Sequence, residues 1–251
     1  MSANYHSEIR LVNQFFEWYE HAVRRTPRDE ARQARTGVYR QHILEAAEGV
    51  FADRGFDAKV QEISQLAALS MGTIYAIFPS KQELHRAILE ARGQELLGLA
   101  REVAGRRLPP RDALRALIEV YVDYFLAHPA FLRMHLRSGT SWAMSPSPGT
   151  DEQIEKWREI HELQAEVFRR GIAEGAFVKE DPGYLARLFT VMDQVLLSDW
   201  VAGEMKAGRE ELVLRLWQLV ERAFCRHPEE RSHHRAARGA PIRIDRRTAD
   251  R

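Results

Sequence analysis

Ala67-Ala68-Leu69-Ser70-Met71-Gly72-Thr73-Ile74-Tyr75-Ala76-Ile77-Phe78 is the stretch on which the reading of this chain turns. Its spacing predicts a short helix over 60–67, a break at Ala68-Leu69-Ser70, and a second short helix over 71–78 that Pro79 closes. Ser70 sits where a hydroxyl oxygen can accept the first unpaired backbone N–H groups of the second helix. Ile74 and Phe78, four apart, anchor that helix in a small core and leave Met71, Thr73, Tyr75 and Ala76 on its outer surface. Ala67 and Ala68 keep the facing side of the first helix small. Gly72 permits close approach of a neighbouring helix or of a nucleic-acid backbone. Two short helices around a three-residue break, set in apolar spacing, outline a helix-turn-helix.

Working outward, a longer helix is expected over 36–54, with Ile43, Ala47, Val50 and Phe51 inward and Gly55 as its stop. Val60, Ile63 and Leu66 are the expected inward positions of the next helix. Ser80 and Glu83 form a capping box for a long helix reaching Gly105. Beyond Pro109-Pro110, helices are expected over 111–127, 130–138, 150–174 (capped by Thr150 with Gln153), 182–206 (capped by Asp181) and 209–226. The Ser-, Pro- and Gly-rich stretch 139–149 reads as a loop. At the other end, 8–23 reads as an amphipathic helix ended by Thr26-Pro27, with a charged linker following. The fold class is therefore all-α, an N-terminal three-helix domain with the helix-turn-helix joined to a C-terminal helical bundle that carries a dimerising helix pair. The domain plan is an N-terminal helix and basic linker (1–35), the helix-turn-helix unit (36–80), the bundle (81–226) and a disordered Arg-rich tail (227–251).

The bulk numbers narrow the class. Among 251 residues, 45% are hydrophobic and 29% charged, as in a soluble globular protein. No apolar run approaches the roughly 18 residues that span a bilayer, so no membrane partner is expected. A lone cysteine, Cys225, excludes an internal disulfide and suits a reducing, cytoplasmic setting. Net charge is only +1, but its distribution is uneven. Six arginines (24, 25, 28, 32, 35, 40) stand against Asp29 and Glu30 just before the helix-turn-helix, whereas 37–90 holds five basic and seven acidic residues. Positive charge flanks the candidate reading unit instead of filling it.

The run Ile43-Leu44-Glu45-Ala46-Ala47, then Phe51-Ala52, Gly55-Phe56, Val60 and Ile63, resembles the opening helices of the TetR family of transcriptional regulators. The resemblance continues through Ala67 to Tyr75, Phe78 and Ser80-Lys81-Gln82-Glu83-Leu84. It implies a one-component regulator, most simply a repressor released from a palindromic DNA operator by a small ligand. It also implies that Thr73, Tyr75 and Lys81 hold phosphates while Met71 and Ala76 face base edges, with Arg40, Lys59, Ser70 and Gly72 completing the DNA-binding set. Departures from the family pattern are Ala68 in place of the turn glycine, Ala76 where a larger residue is common, and Ile77 in place of histidine. The loop Asp57-Ala58-Lys59 lacks the hydroxyl before Val60, and Lys59 substitutes charge for it. A helix so poor in hydrogen-bonding groups is suited to thymine methyls and DNA shape, with Arg28, Arg32, Arg35 and Arg40 adding electrostatic affinity.

In the bundle, Tyr121, Phe125, Met134, His135, Trp142, Trp157, His161 and Met192 are the candidates to line an effector pocket for an apolar or aromatic ligand, the alternative for each being plain core. The helix over 182–206 shows a polar stripe (Arg187, Thr190, Gln194, Ser198) and is apolar elsewhere, so it should be buried on two sides. Together with Leu212, Leu216, Leu219, Val220 and Ala223, this suggests a four-helix interface in a two-fold homodimer. Cys225 with His227, His233 and His234 suits no regular metal spacing, and no cofactor is expected. Two other readings stay open: an all-helical enzyme, for which no nucleophile motif or phosphate loop is found, and a protein–protein adaptor, to which the acidic balance of 37–90 points.

Overall fold

The computed structural model describes residues 26–137 and 151–226, with side chains from 154 in the second segment. The described residues form α1 (Pro27–Arg54), a 3-10 turn (Gly55–Asp57), α2 (Val60–Leu66), α3 (Met71–Ile77), α4 (Lys81–Gly105), α5 (Pro110–Ala127), α6 (Pro129–Arg137), α7 (Asp151–Ala173), α8 (Pro182–Ala202) and α9 (Arg209–Phe224). Among them the single extended pairing is a bridge between Phe177 and Cys225. The all-α expectation holds. The helix expected over 8–23, the loop 139–149, the Thr150 cap and the tail from His227 lie outside the described residues.

The described residues divide into two compact units, one holding 26–92 and 130–137, the other the remaining described residues. In the first, α1 begins at Pro27, nine residues before the expected start at Thr36. Thr26-Pro27 opens this helix, where a linker is expected from the sequence. The cause is local: the Thr26 hydroxyl accepts the Asp29 N–H (3.2 Å), and the Asp29 carboxylate accepts the Thr26 N–H (3.2 Å). These hydrogen bonds hold the Asp29 carboxyl below its ordinary pKa. Pro27, which needs no partner for a missing N–H, fits the first helical position. No residue of α1 before Ile43 is buried, so its first half stands in solvent.

From Ile43 onward the core forms. Ile43, Ala47, Phe51, Ile63, Ile74 and Leu84 are all but fully buried. Leu66 is not: it is 64% exposed, contrary to expectation, because α2 is only two turns long and turns its last residue outward. Glu48 on α1 is buried and accepts from Arg92 Nε on α4 at 2.8 Å. Arg133 of α6 reaches Asp53 at 3.3 Å, which ties that helix to α1.

In the second unit α7 packs on α8, α5 on α7 and α9, and α9 on α8. Phe168 is its aromatic centre, 5.4 Å from Phe177, 5.2 Å from Phe224 and 6.3 Å from Phe189 between ring centroids. Gly171 admits Phe177; a Cβ there would lie 2.0 Å from that ring. Gly175 (φ 75°) turns the chain after α7, and Val178 N–H to Phe224 O (2.9 Å) fastens the end of α9. Helix α8 ends at Ala202, four residues before the expected Lys206, with Glu204 and Met205 both in the left-handed region. Trp200 Nε1 donates to the Ala207 carbonyl (3.0 Å) and so holds that turn. Leu212, Leu216 and Val220 of α9 are buried inside the unit and cannot also face a partner.

Candidate functional site

The turn between α2 and α3 departs from ideal geometry at one residue. Ala68 adopts φ 52°, the left-handed region that glycine takes without strain. Ser64 compensates: its hydroxyl donates to the Leu69 carbonyl (2.6 Å) while the Leu69 N–H donates to the Ser64 carbonyl (3.1 Å). Nothing in the spacing of the sequence marks Ser64, since its role exists only once the turn is closed.

Ser70 caps α3 as expected, accepting from the Thr73 N–H at 3.1 Å, and its hydroxyl also lies 2.8 Å from the Thr73 hydroxyl. Ile74 and Phe78 are buried and fix the helix, and Arg40 lays its guanidinium over the Phe78 ring at 4.7 Å. Tyr75 and Ala76 are exposed; Met71 and Thr73 are half-buried. A Cβ at Gly72 would meet only Ser70 Oγ at 3.7 Å, so no neighbour within the chain needs the glycine. Lys59 is exposed at the start of α2, where its N–H donates to the Glu62 carboxylate (3.1 Å). Lys81 turns inward instead: its ammonium donates to the carbonyls of Phe56 and Ala58 (3.2 Å for the latter) and stands 5.4 Å from the Phe56 ring centroid. A lysine ammonium carries three donors, so one N–H is left for a phosphate. Arg28, Arg32 and Arg35, spaced i, i+4, i+7, share one face of the exposed half of α1.

The second unit holds a pocket partly open to solvent, where the space between its walls, open solvent included, comes to about 370 Å³. Of the expected ligand-binding residues, Tyr121, Phe125, Trp157 and His161 line it. Met134 and His135 belong to the first unit and Met192, half-buried, is not in the lining; Trp142 lies outside the described residues. Sequence reasoning misses Leu96, Ile160, Gln164, Phe189, Thr190 and Asp193. Thr190 is expected on an outer polar stripe, but it is buried because Gln164 of α7 accepts its hydroxyl at 3.0 Å. Gln164 in turn donates to the Tyr121 hydroxyl at a long 3.4 Å. Asp193 is 5% exposed, and its Oδ1 has no hydrogen-bond partner among the described residues. Burial pushes its pKa up to about 7. Burial also pushes the Tyr121 hydroxyl up, against the Gln164 hydrogen bond, and the Asp193 charge adds to that. Burial lowers the His161 pKa, as does the charge of Arg187. The signal that could have marked Asp193 is an acidic residue three positions after Thr190 on a helix otherwise this apolar.

No helix among the described residues is long and apolar enough to cross a membrane. Residues 43–88 match the family described as bacterial regulatory proteins, tetR family. Over 101 residues the chain is 35% identical to the HTH-type transcriptional activator FasR of Mycolicibacterium smegmatis, covering 40% of this chain and 42% of that protein. Over 94 residues it is 33% identical to the HTH-type transcriptional repressor NicS of Pseudomonas putida, covering 37% and 44%. The chain thus spans less than half the length of these two curated relatives. The fold is similar to that of the transcriptional regulator FadR from Bacillus subtilis, solved in complex with stearoyl-CoA. That likeness has a TM-score of 0.60 at 16% identity and covers 72% of this chain and 96% of that one. The matched segment is thus folded as a capped helix-turn-helix similar to that of the tetR family of bacterial regulatory proteins, and the chain shares its helical fold with a solved regulator.

Proposed function

We propose that this protein is a ligand-controlled transcription regulator, acting as a repressor, whose α3 enters the DNA major groove of a palindromic operator. The observation that carries this reading is α3 itself: Ile74 and Phe78 root it in the core while Tyr75 and Ala76 stand in solvent. Thr73, Tyr75 and the third N–H of Lys81 supply phosphate contacts, and Met71 and Ala76 offer apolar contact to thymine methyls. Arg28, Arg32 and Arg35 extend the basic surface along α1. The reading head lies within residues 36–80 and the effector unit within 81–226, as the domain plan has it, although the compact units divide after Arg92 and the first also takes 130–137.

The functional form is a two-fold dimer built on α8 and α9. Val195 and Asp199 lie one turn apart on α8, as do Arg215 and Leu219 on α9, and Arg215 stands 3.8 Å from Asp199. Val195 (55% exposed) and Leu219 (41%) are exposed apolar side chains one turn from that charged pair. A ligand in the cavity changes DNA affinity only through its different affinity for the DNA-bound and free spacings of the two heads.

A gel shift against the DNA flanking the protein's own gene tests the reading. Wild type is expected to retard it as a dimer, and Thr73→Ala with Tyr75→Phe to weaken retardation at least tenfold at an unchanged melting temperature. Wild-type protein that leaves this DNA unshifted, while binding a protein partner, would favour an adaptor.

A further inference from the structure

Three polar groups in the cavity wall satisfy one another: Thr190 donates to Gln164, and Gln164 donates to Tyr121. Asp193 is left out of this chain. Its Oδ1 is buried and has no partner among the described residues, and the same is true of His161 Nε2. Both residues belong to the cavity lining, alongside the rings of Tyr121, Phe125, Trp157 and Phe189. A buried carboxyl with nothing to accept from is costly to maintain unless a group supplied from outside meets it. Aromatic rings that share a pocket with a carboxylate are the kind of surroundings a desolvated organic cation prefers.

Resting on the reading of this unit as the effector domain, we infer that the cavity takes a lipophilic amine, an aromatic or alkyl-aromatic body whose protonated nitrogen donates to Asp193. The titratable groups that face Asp193 are few. From α5 comes Tyr121, whose hydroxyl burial pushes up; from α7 comes His161, whose pKa burial and the Arg187 charge lower; α4 contributes only Leu96 to the wall. Arg187 acts on His161, whereas burial alone accounts for the state of Asp193. Among the described residues of the wall, the charge that can answer a cation is the Asp193 carboxylate. A fatty acyl carboxylate, by contrast, would place like charge against it.

The test is calorimetric titration of the full chain at pH 8 with three compounds that share one body: 4-phenylbutylamine, 4-phenylbutan-1-ol and 4-phenylbutyrate. The amine is expected to bind at least tenfold more tightly than the alcohol, and the carboxylate most weakly. Asp193→Asn should bring amine and alcohol within threefold of each other while leaving the alcohol's own affinity in place. A second measurement, on wild type alone, does not depend on that variant folding: amine binding should strengthen severalfold from pH 6 to pH 8, as the carboxyl loses its proton. A carboxylate that binds as tightly as the amine, an amine preference that survives Asp193→Asn, a flat pH profile, or no heat from any of the three at millimolar concentration overturns the inference. The gel shift without ligand reads DNA binding separately, so loss of the regulator reading and loss of the amine site give different results.

Discussion

The ammonium of Lys81, the first residue of α4, lies 3.2 Å from the carbonyl oxygen of Ala58 and also donates to the carbonyl of Phe56. It closes the 3-10 turn from beneath, so a residue expected at the DNA surface is also a fastener of the small core. Lys81→Met keeps the apolar stem near Phe56 and removes the donors. We expect a loss of about 1 kcal/mol in urea unfolding, the usual net worth of such hydrogen bonds, together with weaker DNA binding. An unchanged unfolding midpoint with DNA binding abolished would assign Lys81 to phosphate alone.

Ala68 at φ 52° holds a conformation that costs an L-residue roughly 1–2 kcal/mol. Ala68→Gly relieves that strain and adds some freedom to the unfolded chain. The net gain is expected to be about 0.5–1 kcal/mol, read as a higher melting temperature. A variant that melts lower than wild type would mean that the turn does not occupy this conformation in solution.

Asp193 gives stability a pH dependence opposite in sign to that of a paired carboxylate. Its pKa stands at about 7 in the folded chain against 3.8 for the free group, so the folded state binds the proton more tightly. Stability from this group therefore falls as pH rises from about 4 to about 7, and stays low above that. Asp193→Asn removes the titration. Its stability relative to wild type should rise across that window, by at most about 4 kcal/mol, the free-energy equivalent of that shift. Denaturant titrations at pH 4.5, 6 and 8 check this; a constant difference across the three would count against a buried, unpaired carboxyl.

Arg28, Arg32, Arg35 and Arg40 lie on a helix whose first half is exposed. Replacing all four with Gln should lower the melting temperature only slightly, through loss of the Arg40 contact with the Phe78 ring. It should lower DNA affinity and flatten the dependence of log K on log salt by roughly 0.9 for each phosphate no longer neutralised. Equal slopes for variant and wild type would place these arginines away from the DNA.

Helix ends and the helix-turn-helix are legible in the residues because the forces that make them are local. A cap joins residues three apart, as at Ser70 with Thr73 and Asp181 with Tyr184. Ile74 and Phe78 repeat at the helical period, so their burial follows from spacing alone. The early start of α1 is local too. Thr26-Pro27-Arg28-Asp29 resembles a stop because of its proline, yet the capping pair of Thr26 and Asp29 makes it a start, and the exposed arginine-bearing half of α1 follows from it.

The cavity is another matter. Its members Tyr121, Phe125, Trp157 and His161 can be named from the sequence, since large rings in a bundle must go somewhere inside. Which polar side chains turn inward depends on partners far along the chain. Thr190 is drawn in by Gln164, twenty-six residues away. Asp193 is buried in a pocket that residues of α4, α5 and α7 also line, a condition no single helix encodes. The residues by themselves thus determine the all-α fold, the reading helix and its anchors. Tertiary packing decides that Lys81 points inward, that Ala68 is strained, and that one carboxyl stands unpaired among aromatic rings, because each is set by groups brought together only when the helices dock.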